Sequence, residues 1–212
     1  MRAFLTHVRK DRLYAAWLLF STTGMRRGEV CGLAWPDLDL DAGTARVEWT
    51  LGDVRGKPTW KSTPKSAASE RVMALDPATV NALRERQYAQ EEERDAIGAG
   101  WTVRNHDWRG QHRDHLVFTW QDGRMINPRR ISVWFVRHRQ EASLPPIRLH
   151  DVRHTYVTAG LANARGWHEV KVISQRLGHA SITLDTYSHV LPAADATVAH
   201  TLAQIILGEQ EG

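Results

Sequence analysis

The chain has 212 residues, a hydrophobic share of 42% and a charged share of 25%, which is ordinary for a globular domain with a sizeable core. The 28 Lys and Arg residues outnumber the 24 Asp and Glu for a net charge of +4; the cations are mostly arginine, which holds phosphate through paired hydrogen bonds and so leans towards a polyanionic partner. The single Cys31 excludes an internal disulfide and a cysteine-only metal cluster. No apolar run is long enough for a bilayer and no secretory signal opens the chain, so the expectation is a cytoplasmic protein with no membrane attachment.

Residues 2–20 read as one helix, with Phe4, Leu5, Val8, Leu13, Ala16, Trp17 and Phe20 near helical spacing. Thr22-Thr23-Gly24 breaks it. Thr23 is the expected cap of a second helix that carries Arg26, Glu29, Val30 and Leu33 and ends at Pro36. Three short strands follow by alternation, at 44–51, 58–63 and 71–75, with turn signals at Gly52-Asp53 and Arg55-Gly56 and a small, polar turn at 64–69. They are expected to form a three-stranded antiparallel sheet at the edge of a helical body. Asp76-Pro77 opens a helix to about residue 94, with a capping Asp and a Pro at the first helical position. Residues 95–114 show no period and read as an irregular, exposed excursion. Helices are expected from Pro128 onward, at 150–164, at 167–177, at 182–190 and at 193–207. Gly178 takes the left-handed turn that leaves the helix at 167–177 before His179.

Several residues stand out for chemistry. Arg26 is expected in the first turn of its helix, where free N–H groups and the dipole favour an anion, with Glu29 three residues on to brace it. Arg27 is its neighbour and competitor, pointing about 100° away. His150 and Arg153, three apart at a helix opening, can face one anion. His154 stands four residues from His150, and with Asp151 the pair offers the beginnings of a metal site that no further ligands complete. Lys65 lies in a turn from which its ammonium can swing over a phosphate, with Lys57 and Lys61 as alternatives. Tyr187 falls about two turns into the helix opened by Ser181. Taken singly, each has an ordinary structural reading. Taken together, two arginines, two imidazoles and a tyrosine suit attack on a phosphodiester.

The order Arg26, Lys65, His150-x-x-Arg153, His179, Tyr187 resembles the catalytic domain of tyrosine recombinases of the phage-integrase type. The stretches that carry the resemblance are TGMRRGEVCGLAWPDLDL at 23–40, PKSAASERVMAL at 64–75, RLHDVRHTYVTAGLA at 148–162 and LGHASITLDTYSHV at 177–190. The resemblance implies an α+β fold, mainly helical with a small three-stranded antiparallel sheet, filling residues 1–212 as a single catalytic domain. The N-terminal core-binding and arm-binding domains that usually precede it would lie outside this chain. It also implies roles. Arg26 and Arg153 would clamp the scissile phosphate, His150 act as acid–base, Lys65 as general acid, His179 as supporting donor and Tyr187 as nucleophile, with Glu29 as the structural acid. The partner would be double-stranded DNA, bound as a homotetramer through the C-terminal helix, with no metal and no cofactor. The alternatives are a type IB topoisomerase-like enzyme, a non-catalytic DNA-binding module, and a metal-dependent phosphohydrolase built on His150, Asp151 and His154.

Overall fold

The computed structural model describes residues 1–62 and 70–178. The chain opens with α1 (Arg2–His7) and α2 (Tyr14–Thr23), where the periodicity predicts one helix. Asp11 makes the break. Its Oδ1 accepts from the Leu13 backbone N–H at 2.8 Å and from the Trp17 indole N–H at 2.9 Å, an alternative to the helical ladder that a short carboxylate side chain can offer. Residues 15–20 are buried on every side, so α2 is the central rod of the core rather than an amphipathic surface helix. It ends at Gly24, whose φ of 65° is the left-handed conformation that lets the chain leave a helix.

Next comes α3 (Arg27–Gly32). Thr23 is not its cap but the last residue of α2, and Arg26 holds the N-cap position. The strand alternation is right and the pairing is not. Residues 44–51 divide at Glu48 into β2 (Thr44–Val47) and β3 (Trp49–Val54), which belong to different sheets. β2 is the middle strand of a three-stranded antiparallel sheet between β1 (Leu38–Asp39) and β5 (Arg71–Ala74). β3 instead forms a hairpin with β4 (Lys57–Ser62), in register from Trp49 opposite Ser62 to Val54 opposite Lys57. α3 lies on β3 backbone to backbone. A Cβ at Gly28 would stand 2.7 Å from the Leu51 carbonyl oxygen, and one at Gly32 2.9 Å from that of Trp49, so only glycine permits the approach.

The long α4 (Pro77–Ile97) starts where Asp76 accepts the Thr79 N–H at 3.1 Å. The segment after it is built, not irregular. β6 (Arg104–His106) and β7 (His112–Asp114) pair antiparallel, and two buried polar side chains hold the hairpin. Asn105 accepts from the Met125 N–H at 2.6 Å and donates to the Gly123 carbonyl at 3.1 Å. Asp107 accepts from the backbone N–H of Trp60 at 3.0 Å, while the fully buried Trp60 indole donates to the Asn105 carbonyl at 2.9 Å. The hairpin is therefore fastened to β4. The remaining helices are α5 (Pro128–Glu141), α6 (Leu149–Ala162) and α7 (Trp167–Leu177). α5 is capped by Asn127, and α7 is left through Gly178 at φ 64°. One core runs from Phe4 to Val152, and a smaller one of Val157, Leu161, Val170 and Leu177 ties α6 to α7. Among the described residues no helix is long and apolar enough to cross a membrane.

Candidate active site

Three segments distant in sequence meet at Arg153. Its guanidinium is buried; Nη1 donates to the Gly24 carbonyl and Nη2 to the Leu177 carbonyl at 2.8 Å. Gly24 is two residues before Arg26, and Leu177 two before His179. One side chain on α6 thus fixes the α2–α3 junction and the end of α7 relative to each other. His150 stands one turn earlier on the same helix and is exposed. Its ring lies 4.8 Å from that of His154, edge to face.

Arg26 is held from below by Glu29. Glu29 Oε2 accepts the Arg26 backbone N–H at 2.7 Å, and Oε1 accepts from Arg26 Nη1 at 2.9 Å. The Glu29 side chain is 4% exposed and that of Arg26 36%, so the carboxylate is interior and the guanidinium reaches solvent. Arg27 is turned away and donates to Ser132 Oγ at 2.7 Å, which leaves Arg26 as the arginine of this pair at the site.

A residue that the sequence reading passes over completes the base of the site. Arg71, the first residue of β5, is buried against the same carboxylate. Its Nη2 lies 2.9 Å from Glu29 Oε2 and its Nε donates to the Arg176 carbonyl at 2.6 Å. Arg176 in turn donates to the Tyr156 hydroxyl at 2.9 Å and to the Ala74 carbonyl at 3.1 Å. The signal for Arg71 was its place in the motif stretch 64–75, directly before an apolar strand. Lys65, His179 and Tyr187 lie outside the described residues. Of the two lysines considered beside Lys65, Lys57 stands over the Trp108 ring at 5.7 Å.

The electrostatics follow from these contacts. Burial alone would raise the Glu29 carboxyl, but hydrogen bonds and charge from Arg71 and then Arg26 outweigh it and hold the group below its ordinary value. Desolvation, with His154 and Arg153 adding positive charge, pushes the His150 imidazole below its usual value against the pull of Asp151. At neutral pH the ring is therefore neutral and able to accept a proton. Asp151 is committed elsewhere: Arg148 engages it through its side chain and its backbone N–H and lowers it to about 2. Burial pushes the Cys31 thiol up to about 12, so it stays protonated and is no nucleophile. Among the described residues no carboxylate or thiol joins His150 and His154 in a three-ligand cluster.

The site thus presents a half-exposed arginine at a helix start, a second arginine locking the backbone on both sides, and a neutral imidazole one turn away. An exposed guanidinium of this kind can hold an anion, and a neutral imidazole can take a proton. Comparison with known proteins identifies the family. The phage integrase family profile matches residues 1–193, and the chain belongs to that family. It is 31% identical over 206 residues to a tyrosine recombinase XerC-like protein of Caldanaerobacter subterraneus, covering 92% of this chain and 50% of that protein. It is 27% identical to the ICEBs1 integrase of Bacillus subtilis, covering 97% of this chain and 53% of the relative. The chain therefore spans about half the length of these relatives. Among solved structures, the Tn1549 transposon integrase in complex with circular intermediate DNA superposes with a TM-score of 0.70 at 21% identity, over 95% of this chain and 64% of that one. The XerA recombinase superposes with a TM-score of 0.65 at 20% identity, over 88% and 56%. The fold is that of tyrosine recombinases.

Proposed function

We propose that residues 1–212 form one catalytic domain that cleaves and rejoins double-stranded DNA at specific sites, in the cytoplasm, without metal or nucleotide. Tyr187 attacks the scissile phosphorus to form a 3′-phosphotyrosyl bond, and the 5′-oxygen leaves as a hydroxyl after taking a proton from Lys65. Arg26 and Arg153 offset the charge on the non-bridging oxygens, with His179 as a further donor. His150 accepts the phenolic proton. The bond energy is kept in the phosphotyrosine, so joining to a new 5′-hydroxyl needs no external energy source. A homotetramer is the working form, with the Val198, Leu202 and Ile205 face of the C-terminal helix docked on a neighbour. The observation that carries the reading is the bridging of Gly24 and Leu177 by Arg153, which draws the Arg26 segment and the chain leading to His179 to one place.

Two results test it. Cleavage of a duplex bearing the attachment site should proceed at the same rate in EDTA as in Mg2+. Loss of cleavage in EDTA would instead support a metal-dependent phosphohydrolase. The pH dependence is also defined. Because His150 is lowered, the cleavage rate should stay flat from about pH 8 to about pH 6.5, the unperturbed value, and fall only below it. His150→Gln should lower the plateau and remove that acidic limb, and an unaltered limb in the variant would remove His150 from the role.

A further inference from the structure

A second cluster of chemistry-bearing side chains lies where α1 meets the end of α5. His7 Nε2 and His138 Nδ1 each stand 3.3 Å from the same oxygen, Glu141 Oε2. One ligand atom from each of the three residues lies within 4.8 Å of the others. In a tetrahedral zinc site with bonds of 2.0–2.1 Å, neighbouring ligand atoms are about 3.3–3.4 Å apart. The two contacts to the carboxylate oxygen match that edge.

The surroundings favour a cation. His138 Nε2 faces Asp11 Oδ2 at 3.2 Å, and Asp11 is itself held by the Leu13 and Trp17 N–H groups through Oδ1. A proton on Nε2 would face Asp11 and would leave the Nδ1 lone pair turned towards Glu141. That atom is buried and makes no hydrogen bond. A lone pair against a carboxylate oxygen is repulsive unless a positive charge lies between them. The pairing of a carboxylate with the far nitrogen of a histidine is also the arrangement that orients imidazole ligands on metals. The other Glu141 oxygen is pinned by Arg137 Nε at 2.7 Å. Beneath the cluster, Phe4 of α1 packs on Phe135 of α5 with ring centroids 4.9 Å apart, which fixes the two helices that supply the ligands.

We propose that His7, His138 and Glu141 bind one divalent transition-metal ion, Zn2+ by donor chemistry, with solvent as the fourth ligand. The ion clamps α1 to α5 and takes no part in phosphoryl transfer. The set of two imidazoles and one carboxylate selects against Mg2+ and Ca2+, which take oxygen ligands.

The test is isothermal titration of the metal-stripped chain with ZnCl2, and with CoCl2 followed by visible absorption. One Zn2+ per chain is expected, with a rise in Tm. His7→Ala and Glu141→Gln, both near the surface, should weaken binding by at least about tenfold and abolish the Tm rise, with circular dichroism confirming the fold. Substituting His106 and His112 by Gln, a close pair in the β6–β7 hairpin, should leave the site intact. No Zn2+ uptake, equal affinity for Mg2+, or binding undiminished in both His7→Ala and Glu141→Gln would overturn the proposal; the last would place the ion elsewhere.

Discussion

Tyr187→Phe is expected to abolish strand cleavage while leaving DNA binding intact. The substitution removes one oxygen. The ring, the helix on which the sequence places it, and the solvent-reaching guanidinium of Arg26 are retained. If the phenol oxygen is the attacking atom, the chain's single thiol does not replace it, because Cys31 is buried and protonated. The loss should exceed about 10^4-fold in single-turnover cleavage, the scale seen when a nucleophile is deleted. Gel-shift affinity for the same duplex should not change. Residual cleavage within tenfold of the parent chain would assign the nucleophile elsewhere, and a parallel loss of binding would show that the residue serves the fold.

The second large effect is on stability. Glu29 is a buried carboxylate shared by Arg26 and the buried Arg71. Removing it breaks a buried ion pair by taking away one partner, a kind of change that costs about 3–5 kcal/mol. Glu29→Ala should therefore lower the urea midpoint sharply and also misplace Arg26, so cleavage should fall even at temperatures where the variant is folded. The pH dependence has a defined sign. The folded-state carboxyl is held below its unfolded value, so its contribution is present above the unfolded pKa of about 4.3 and is lost as pH falls through the folded value. Between neutral pH and about pH 3, the stability gap between the parent and Glu29→Ala should narrow. A gap independent of pH would mean that the charge on Glu29 does not hold the network together.

What could be read in the chain, and what could not, divides by distance along it. The start of α4 at Asp76-Pro77 and the whole of α7 at Trp167–Leu177, with its exit at Gly178, were legible because capping residues, period and turn glycine are all local. The bracing of Arg26 by Glu29 was legible for the same reason, being a pair three residues apart. Arg71, at 42 residues from Glu29, was not: nothing in a strand's alternation reports a buried ion pair with a helix so far back in the chain. Strand pairing failed likewise. Alternation over 44–51 identifies extended chain, but the division at Glu48 depends on β5 and β4 competing for partners. The β6–β7 hairpin escaped notice because Asn105 and Asp107 organise it. Buried polar side chains that satisfy backbone groups leave no hydrophobic period to find. The α1–α2 break belongs to the same class, since one carboxylate, Asp11, undoes a helical pattern that the apolar residues alone would support.

The most direct test of the central claim is to identify the atom that joins the DNA. A duplex carrying the attachment site, nicked just past the scissile position so that the short 5′-hydroxyl strand diffuses away, is incubated with the protein in EDTA. The covalent adduct is then digested and its nucleotide-bearing peptide sequenced by mass spectrometry. The account predicts a 3′-phosphate ester on Tyr187, within the peptide that follows Arg176. An adduct on any other residue, or cleavage with no adduct by protein lengthened to include the expected N-terminal domains, would contradict it.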